Sequence, residues 1–489
     1  MQKHLKLVSG SDLRGVAVDI GGGVNFDRET ARSAAYQFAA FLREQTGKVE
    51  LTIAVGHDPR LSHEALVGGA LEGLGAANVR VKDCGLCTTP AMFMTTVNLG
   101  CDGAIMVTAS HLPFERNGMK FITAKGGLES AQVKEIALAM EDVAPAQPET
   151  EQVNYIETYA AGLVDFIRRE TGSERPLTGK RIAVDAGNGS GGFFAHKVLE
   201  PLGADITGSQ YLDPNGLFPN HIPNPEDAGA MQAISKAVLD SRADAGVIFD
   251  ADCDRAAVVD EKGTPINRNR LIALLSAIYL EKCPGGSIVT DSVTSAGLTR
   301  FIEGLGGRHF RYRRGYKNVI DKAIELNGQG VACPMGIETS GHCAFAENYF
   351  LDDGAYMAAR LMVELAKRGD LTSLIADLEE PAEEKEIRLK LTNEDFRPDG
   401  EKIIAKVKAA IETRADWSAN VDYEGVKATV KLEGGEGFIL VRLSLHDPVV
   451  PINIESDVPG GVKTMAAQLY SVLTGSAGAD LSPLAAAAE

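Results

Sequence analysis

The sequence has no long apolar run. A membrane-spanning helix needs about 20 consecutive apolar residues, and the longest apolar stretches here fall well short of that. The first residues, MQKHLKLVSGSDLRG, hold no apolar core of a secretory signal. A cytoplasmic protein with no membrane partner is therefore expected. Basic residues are scarce as well. There are 49 Lys and Arg against 67 Asp and Glu, a formal net charge of −18. That excludes broad nonspecific nucleic-acid binding, which needs a basic surface. A small anion stays possible, because a cleft can be locally basic on an acidic protein. Cysteines number only seven, an odd count. Cys84 and Cys87 form a CxxC, but no second CxxC or HxxxH accompanies it, so a structural zinc site is not expected. Reduced structural thiols suit a cytoplasmic chain better than disulfides do.

What is present is ordinary globular composition, 44% hydrophobic and 24% charged, spread over 489 residues. That length exceeds one core and suggests three or four domains. Residues 51–121 alternate short apolar runs with amphipathic ones: LTIAVG, HEALVGGALEGLGAA, VRVKDCG, TTPAMFMTTVNL, GAIMVTAS. Residues 180–260 repeat the alternation with RIAVDAG, GGFFAHKVLEPLG, ADITGSQYL, AMQAISKAVLDSRA and AGVIFDADCD. Residues 268–350 do so again, ending in VACPMGIE. Such alternation predicts α/β units on largely parallel sheets. From about residue 386 the pattern changes to charged strands (EIRLKLT, GVKATVKLE, GFILVRLSL) and two helices, GEKIIAKVKAAIETRA and GVKTMAAQLYSVL. The tail GADLSPLAAAAE reads as frayed. The expected domains are 1–160, 161–265, 266–384 and 385–489. The fold class is α/β: three tandem α/β domains with mixed, largely parallel sheets, plus a smaller C-terminal α+β domain, around a central cleft.

Each of the first three units ends a predicted strand in a polar constellation. In open α/β sheets ligands gather at the carboxyl ends of strands. The first is TASHLPFERNGMKF, with Ser110 and His111 directly after GAIMV and Lys120 further on. The second is GVIFDADCDR. In an extended chain Asp250, Asp252 and Asp254 would share one side. Three such carboxylates repel unless a cation neutralises them, and hard oxygen donors suit magnesium. Arg255 adds a planar fork suited to phosphate. The third is GIETSGH, where Glu338 and Ser340 could grip vicinal sugar hydroxyls and His342 could move a proton.

Two other patterns compete. Glu261 stands at position 12 from Asp250, as in a calcium loop, but position 6 is Arg255 and not glycine. Gly187, Gly189 and Gly192 form G-x-G-x-x-G with Asp213 some way on, a match to the dinucleotide fingerprint. It leaves the three strand-end motifs unexplained, and a tight strand-to-helix turn needs glycines in any case.

Together the motifs resemble the α-D-phosphohexomutase superfamily, the phosphoglucomutase/phosphomannomutase enzymes, in order through nearly the whole chain. TASHLPFERNGMKF resembles the family's phosphoserine loop, DADCDR its metal loop and GIETSGH its sugar-recognition loop. GSDLRG resembles the N-terminal arginine segment and points to Arg14; VGHDPRLS and LDPNGLFPNHIPNPE also read like family segments. The resemblance implies a phosphohexomutase that interconverts hexose 1-phosphate and hexose 6-phosphate. Ser110 would carry the phosphoryl group and complete a magnesium site with Asp250, Asp252 and Asp254. Arg14, His111, Lys120 and His342 would be catalytic, with His111 shaping the loop more than acting as a base. Arg255, Glu338, Ser340, Arg314, Lys317, Arg442 and Ser444 would bind substrate. A hexose 1,6-bisphosphate would serve as activator, and the only partner would be a small sugar phosphate, for a monomer or homodimer.

The chain departs from the family pattern in three places. The fourth-domain phosphate loop reads VRLSLHDPVVP, with Leu445 and His446 where a small residue and threonine are usual. Leu112 replaces the usual asparagine after TASH, and Tyr316 and Lys317 stand where a histidine often lies nearby. The sugar therefore stays open among glucose, mannose and glucosamine, the last making a phosphoglucosamine mutase. Three rival readings remain, the last being the nucleotide-dependent oxidoreductase that the glycine pattern suggests. GVIFDADCD also resembles a haloacid-dehalogenase-type phosphatase, with Asp250 as nucleophile and Ser110 idle. The altered 442–448 loop would suit a non-catalytic sugar-phosphate-binding protein.

Overall fold

The computed structural model describes residues 2–421, 423–444 and 447–489. Leu445 and His446 of the altered loop lie outside the described residues. The chain forms two compact units, Met1–Asn267 with Ser340–Ala344 and Leu351–Thr372, and Arg268–Thr339 with Phe345–Phe350 and Ser373–Glu489.

In the first unit, an eight-stranded sheet has the parallel strands Arg80–Leu86, Thr52–His57 and Gly103–Val107 side by side. Gly103–Val107 is buried along its whole length, which is why GAIMV reads as a continuous apolar run and not an alternating one. Next to it Arg116–Thr123 runs antiparallel and pairs in turn with Asp12–Val16. Helices Arg28–Thr46, His63–Ala76 and Ser130–Ala139 cover the sheet and close a core around Phe38, Ile53, Val55, Ile105 and Phe121. Asp27 caps the first of these helices by accepting the Thr30 N–H, and Gly47 ends it in the left-handed region.

The second sheet of this unit pairs Ala245–Phe249 in parallel with Ile182–Asp185 and antiparallel with Ala256–Asp260. Ala245–Phe249 is again buried end to end. Two expectations fail here. ADITGSQYL forms no strand and makes only isolated bridges at Asp205 and Gln210. The Ser209 hydroxyl takes the Val184 N–H that a ladder would have used, and Gly208 turns the chain at φ +99°. GGFFAHKVLEPLG is a short 3₁₀ turn, Ser190–Gly192, followed by a wide π-turn, Phe194–Leu199. The glycines that mimic a dinucleotide fingerprint serve packing: a Cβ on Gly189 would lie 2.6 Å from Ala251 Cα, inside the aspartate turn.

In the second unit, Arg308–Tyr312, Ser287–Asp291 and Met335–Ile337 run parallel, with Arg308–Tyr312 at the edge. The C-terminal part is a five-stranded antiparallel sheet in the order 383–390, 449–456, 435–442, 425–432, 417–420. Helices Arg397–Thr413 and Gly461–Leu473 pack on it. The tail expected to fray instead forms helix Ser482–Ala488, because Leu484 and Ala487 bury themselves in this core. Among the described residues, no helix is long and apolar enough to cross a membrane.

Candidate active site

The first unit gathers most of the strand-end residues. Ser110 follows strand Gly103–Val107 in a tight turn, buried, with φ +52°. That conformation is uncommon for a residue with a side chain and is held by its surroundings. The Ser110 N–H donates to Thr108 Oγ1 (2.9 Å). Its hydroxyl donates to Asp250 Oδ2 (2.9 Å) and accepts from Arg255 Nη2 (3.0 Å).

Asp250, Asp252 and Asp254 are all buried. They do not share a side by extension, as the pattern suggested. Residues 251–254 form a turn with Cys253 at φ +63°, and the turn itself makes the three carboxylates converge. Their ligand oxygens lie within 4.8 Å of one another. Lys120 reaches over from Arg116–Thr123 and donates to Asp252 Oδ2 (2.8 Å) and Asp254 Oδ2 (2.5 Å). Burial disfavours its charge, but the two aspartates hold Lys120 protonated, well above its usual range. Burial also disfavours charge on Asp254, and Lys120, His342 and Arg255 outweigh it, so this carboxylate stays ionised. Asp250 is pushed well up by burial and by Asp254.

A divalent cation fits this turn. Asp252 Oδ1 and Asp254 Oδ1 are buried and accept no hydrogen bond among the described residues. Buried carboxylate oxygens are costly to leave unsatisfied, and an all-oxygen donor set suits a hard ion.

Two histidines border the turn in opposite states. His111 Nδ1 accepts from Arg255 Nη2 and lies 3.2 Å from Ser110 Oγ. Burial, with Arg255 and Arg14 nearby, lowers its pKa to about 3, so it is neutral and cannot supply positive charge. His342 pairs with Arg255 in an antiparallel bridge, and its Nδ1 lies 2.6 Å from Asp352 Oδ2. Burial opposes its charge, yet Asp352 and Asp254 raise it to about 9. Arg14 stands on the strand beside Lys120, bound to Asp12 Oδ2 (2.7 Å) and at 3.5 Å from the Ala109 carbonyl. Ser340, buried, belongs to the same unit.

The other expected binding residues lie in the second unit. Glu338 Oε1 accepts the Gly315 N–H (2.6 Å). The Arg314 N–H donates to Glu424 Oε2 (3.0 Å), and Arg442 Nε lies 3.8 Å from Glu424 Oε1. Glu424 thus joins Arg314 to Arg442, and Glu338 meets the backbone one residue on, at Gly315. Burial, opposed by Glu424 and reinforced by Arg314, lowers the Arg442 pKa. Lys317 is ion-paired with Asp321 one helical turn on (2.9 Å). The Ser444 hydroxyl accepts the Asp447 N–H (3.1 Å).

Sequence reasoning missed Asp352, Glu424, Thr89 and the Asp58–Arg60 pair. Thr89 Oγ1 donates to Asp252 Oδ2 (2.5 Å). Asp352 hid inside LDDGAY, a helix-start signature that Asp353 fulfils by capping Tyr356 N–H. In the CxxC pair, Cys84 and Cys87 are free and buried, and burial pushes the Cys87 thiol up to about 12, which disfavours the reactive thiolate.

A buried hydroxyl facing a carboxylate turn, with lysine and arginine across it, marks an α/β phosphoryl-transfer enzyme. Three family models match in series: phosphoglucomutase/phosphomannomutase α/β/α domain I over residues 6–146, domain II over 154–263 and domain III over 267–381. The chain is 31% identical over 448 residues to a phosphomannomutase/phosphoglucomutase of Pseudomonas aeruginosa, covering 90% of this chain and 91% of the relative. A protein of the same name from Pseudomonas putida is 30% identical over 453 residues, covering 91% and 90%. The crystal structure of a phosphoglucomutase/phosphomannomutase family protein from Burkholderia thailandensis superposes with TM-score 0.80 at 28% identity, covering 98% of this chain and 99% of that one. The chain belongs to the phosphoglucomutase/phosphomannomutase family of the α-D-phosphohexomutase superfamily and is a phosphohexomutase, an isomerase-class phosphotransferase.

Proposed function

We propose that this phosphohexomutase interconverts mannose 1-phosphate or glucose 1-phosphate with the 6-phosphate through a phosphorylated Ser110 and a hexose bisphosphate. The observation that carries the reading is Ser110 Oγ, buried and fixed at 2.9 Å from Asp250 and 3.0 Å from Arg255 beside the carboxylate turn. The phosphoryl group leaves Ser110 Oγ for a sugar hydroxyl: one P–O bond breaks at Ser110 and one forms at the sugar, and the proton that the sugar hydroxyl gives up is balanced by the one that Ser110 Oγ regains. The bisphosphate turns around, and its other phosphoryl group returns to Ser110 Oγ. A magnesium ion held by Asp250, Asp252, Asp254 and the Ser110 phosphate would spread the charge of the transferring group. Arg255 and Lys120 supply fixed positive charge at the same place. His342 carries the exchangeable proton on Nε2, because Asp352 occupies Nδ1. His111 shapes the loop as a neutral acceptor. Arg14 positions the Ser110 turn, and Ser340, Glu338, Arg314, Lys317, Arg442 and Ser444 bind the sugar phosphate. A hexose 1,6-bisphosphate restores the phosphate on Ser110 when it is lost.

The test is an intact mass with peptide mapping, followed by assay on mannose 1-phosphate and glucose 1-phosphate with magnesium and a trace of hexose 1,6-bisphosphate. One phosphate on Ser110 and a 6-phosphate product that vanishes in Ser110→Ala are expected. An unmodified Ser110 after bisphosphate treatment, with no isomer formed, would sink the reading.

A further inference from the structure

Thr52–His57 and Gly103–Val107 are parallel neighbours, so their carboxyl ends open side by side. One leads into the Ser110 turn and the other into Asp58-Pro59-Arg60. The Arg60 side chain is fully buried. A guanidinium has five N–H donors in a planar fork, and here all five are used. Nη2 donates to the carbonyls of Ser110 (2.5 Å) and Leu112 (2.7 Å). Nη1 donates to the carbonyls of Pro113 (2.7 Å) and Arg116 (2.9 Å). Nε donates to Asp58 Oδ2 (3.1 Å).

The same Asp58 oxygen accepts from Thr108 Oγ1 (2.7 Å), which in turn accepts the Ser110 N–H (2.9 Å). The chain of bonds therefore closes on itself: Asp58 reaches the Ser110 N–H through Thr108, and the Ser110 carbonyl through Arg60. Both peptide groups flanking the Ser110 Cα are held while its φ stands at +52°. A second loop seals the clamp. The Phe218 ring lies 5.0 Å from the guanidinium, and Gly216 packs so closely that a Cβ there would lie 2.2 Å from the Pro59 carbonyl.

We propose that Arg60 is a positioning residue for phosphoryl transfer: through four carbonyls of residues 110–116 it holds Ser110 in the backbone conformation that aims Oγ at Asp250 and Arg255. The proposal rests on Ser110 as the phosphoryl carrier. Lysine cannot replace the fork, since a point charge with three donors has no plane to match five acceptors.

The experiment compares the full-length wild type with Arg60→Lys and Thr108→Val, in magnesium. It reads melting temperature, phosphate on Ser110 after glucose 1,6-bisphosphate, and kcat and KM separately. If the wild type takes no phosphate on Ser110 and does not turn over, the carrier reading falls and the clamp falls with it. With a phosphorylated wild type, folded Arg60→Lys is expected to lose about 100-fold in kcat, with KM within about three-fold, because a small misplacement of a reacting atom is costly. Phosphorylation of Ser110 should slow by a similar factor. Arg60→Lys phosphorylated and turning over within about two-fold of wild type overturns the proposal while leaving the carrier reading intact. Should Arg60→Lys not fold, Thr108→Val decides: a kcat loss of about ten-fold at unchanged KM supports the clamp, and wild-type kcat overturns it.

Discussion

Asp352 Oδ2 lies 2.6 Å from His342 Nδ1, and its other oxygen accepts the Cys343 N–H at 3.1 Å, so the carboxylate fixes both the ring and the backbone that follows it. The His342 pKa rises from 6.5 to about 9: burial opposes the charge, and Asp352 and Asp254 outweigh burial. A raised pKa means that the fold favours the protonated form. The pair's contribution to stability is full below about pH 6.5 and is lost as pH rises through about 9. Activity that needs the His342 proton should fall over the same upper range. In Asp352→Asn the alkaline limb of the kcat profile is expected to move down by about one unit or more, with kcat about ten-fold lower near neutral pH. A pH profile unchanged from wild type would remove His342 from the chemistry.

The carboxylate turn makes a second prediction about metal. Burial and Asp254 push the Asp250 pKa well up, which says that the metal-free fold disfavours its charge. Asp250→Asn should therefore melt no lower than wild type in chelator. In wild type, magnesium should raise the melting temperature, and chelator should abolish turnover reversibly. In Asp250→Asn the magnesium-dependent rise should vanish, with activity down at least about 100-fold. Thermal scans with and without magnesium check both arms.

Arg442 lies far along the chain from the Ser110 turn, at the end of strand Gly435–Arg442 and beside Glu424. A residue that holds a non-reacting phosphate contributes equally to ground and transition states. Arg442→Ala should then raise KM by about ten-fold or more with a much smaller change in kcat. A loss confined to kcat would argue against that role.

Leu484 is fully buried in the C-terminal core, on a seven-residue helix. Leu484→Ala should destabilise the C-terminal sheet by about 2–4 kcal/mol, read by denaturant unfolding of the full chain. The Ser110 phosphate level should be unchanged. An unaltered unfolding curve would mean that the helix does not dock.

Local pattern was enough for much of this protein. Runs such as GAIMV and AGVIF announced buried parallel strands, and the polar residues of the motifs that follow them sit in the structure beside one another: Ser110 at Asp250, Lys120 at Asp252 and Asp254. Covalent neighbours set the spacing of such motifs, so a single chain displays them. Partners set by packing did not show. Asp352 was not singled out and Arg60 stood unremarked inside VGHDPRLS, because nothing within a few residues reveals what a buried charge will meet. The three aspartates were expected to align by extension, whereas a left-handed residue at Cys253 bends them together. The tail looked frayed because its small residues lack periodicity, and it folds because Leu484 finds a cavity made by distant strands. The sequence alone determined the α/β order and the chemistry stored at strand ends, both properties of short-range pattern. The tertiary structure alone decided the protonation states and the clamp on Ser110, since these depend on burial and on groups that packing brings together, Arg60 at the Ser110 carbonyl and Lys120 at Asp252 among them.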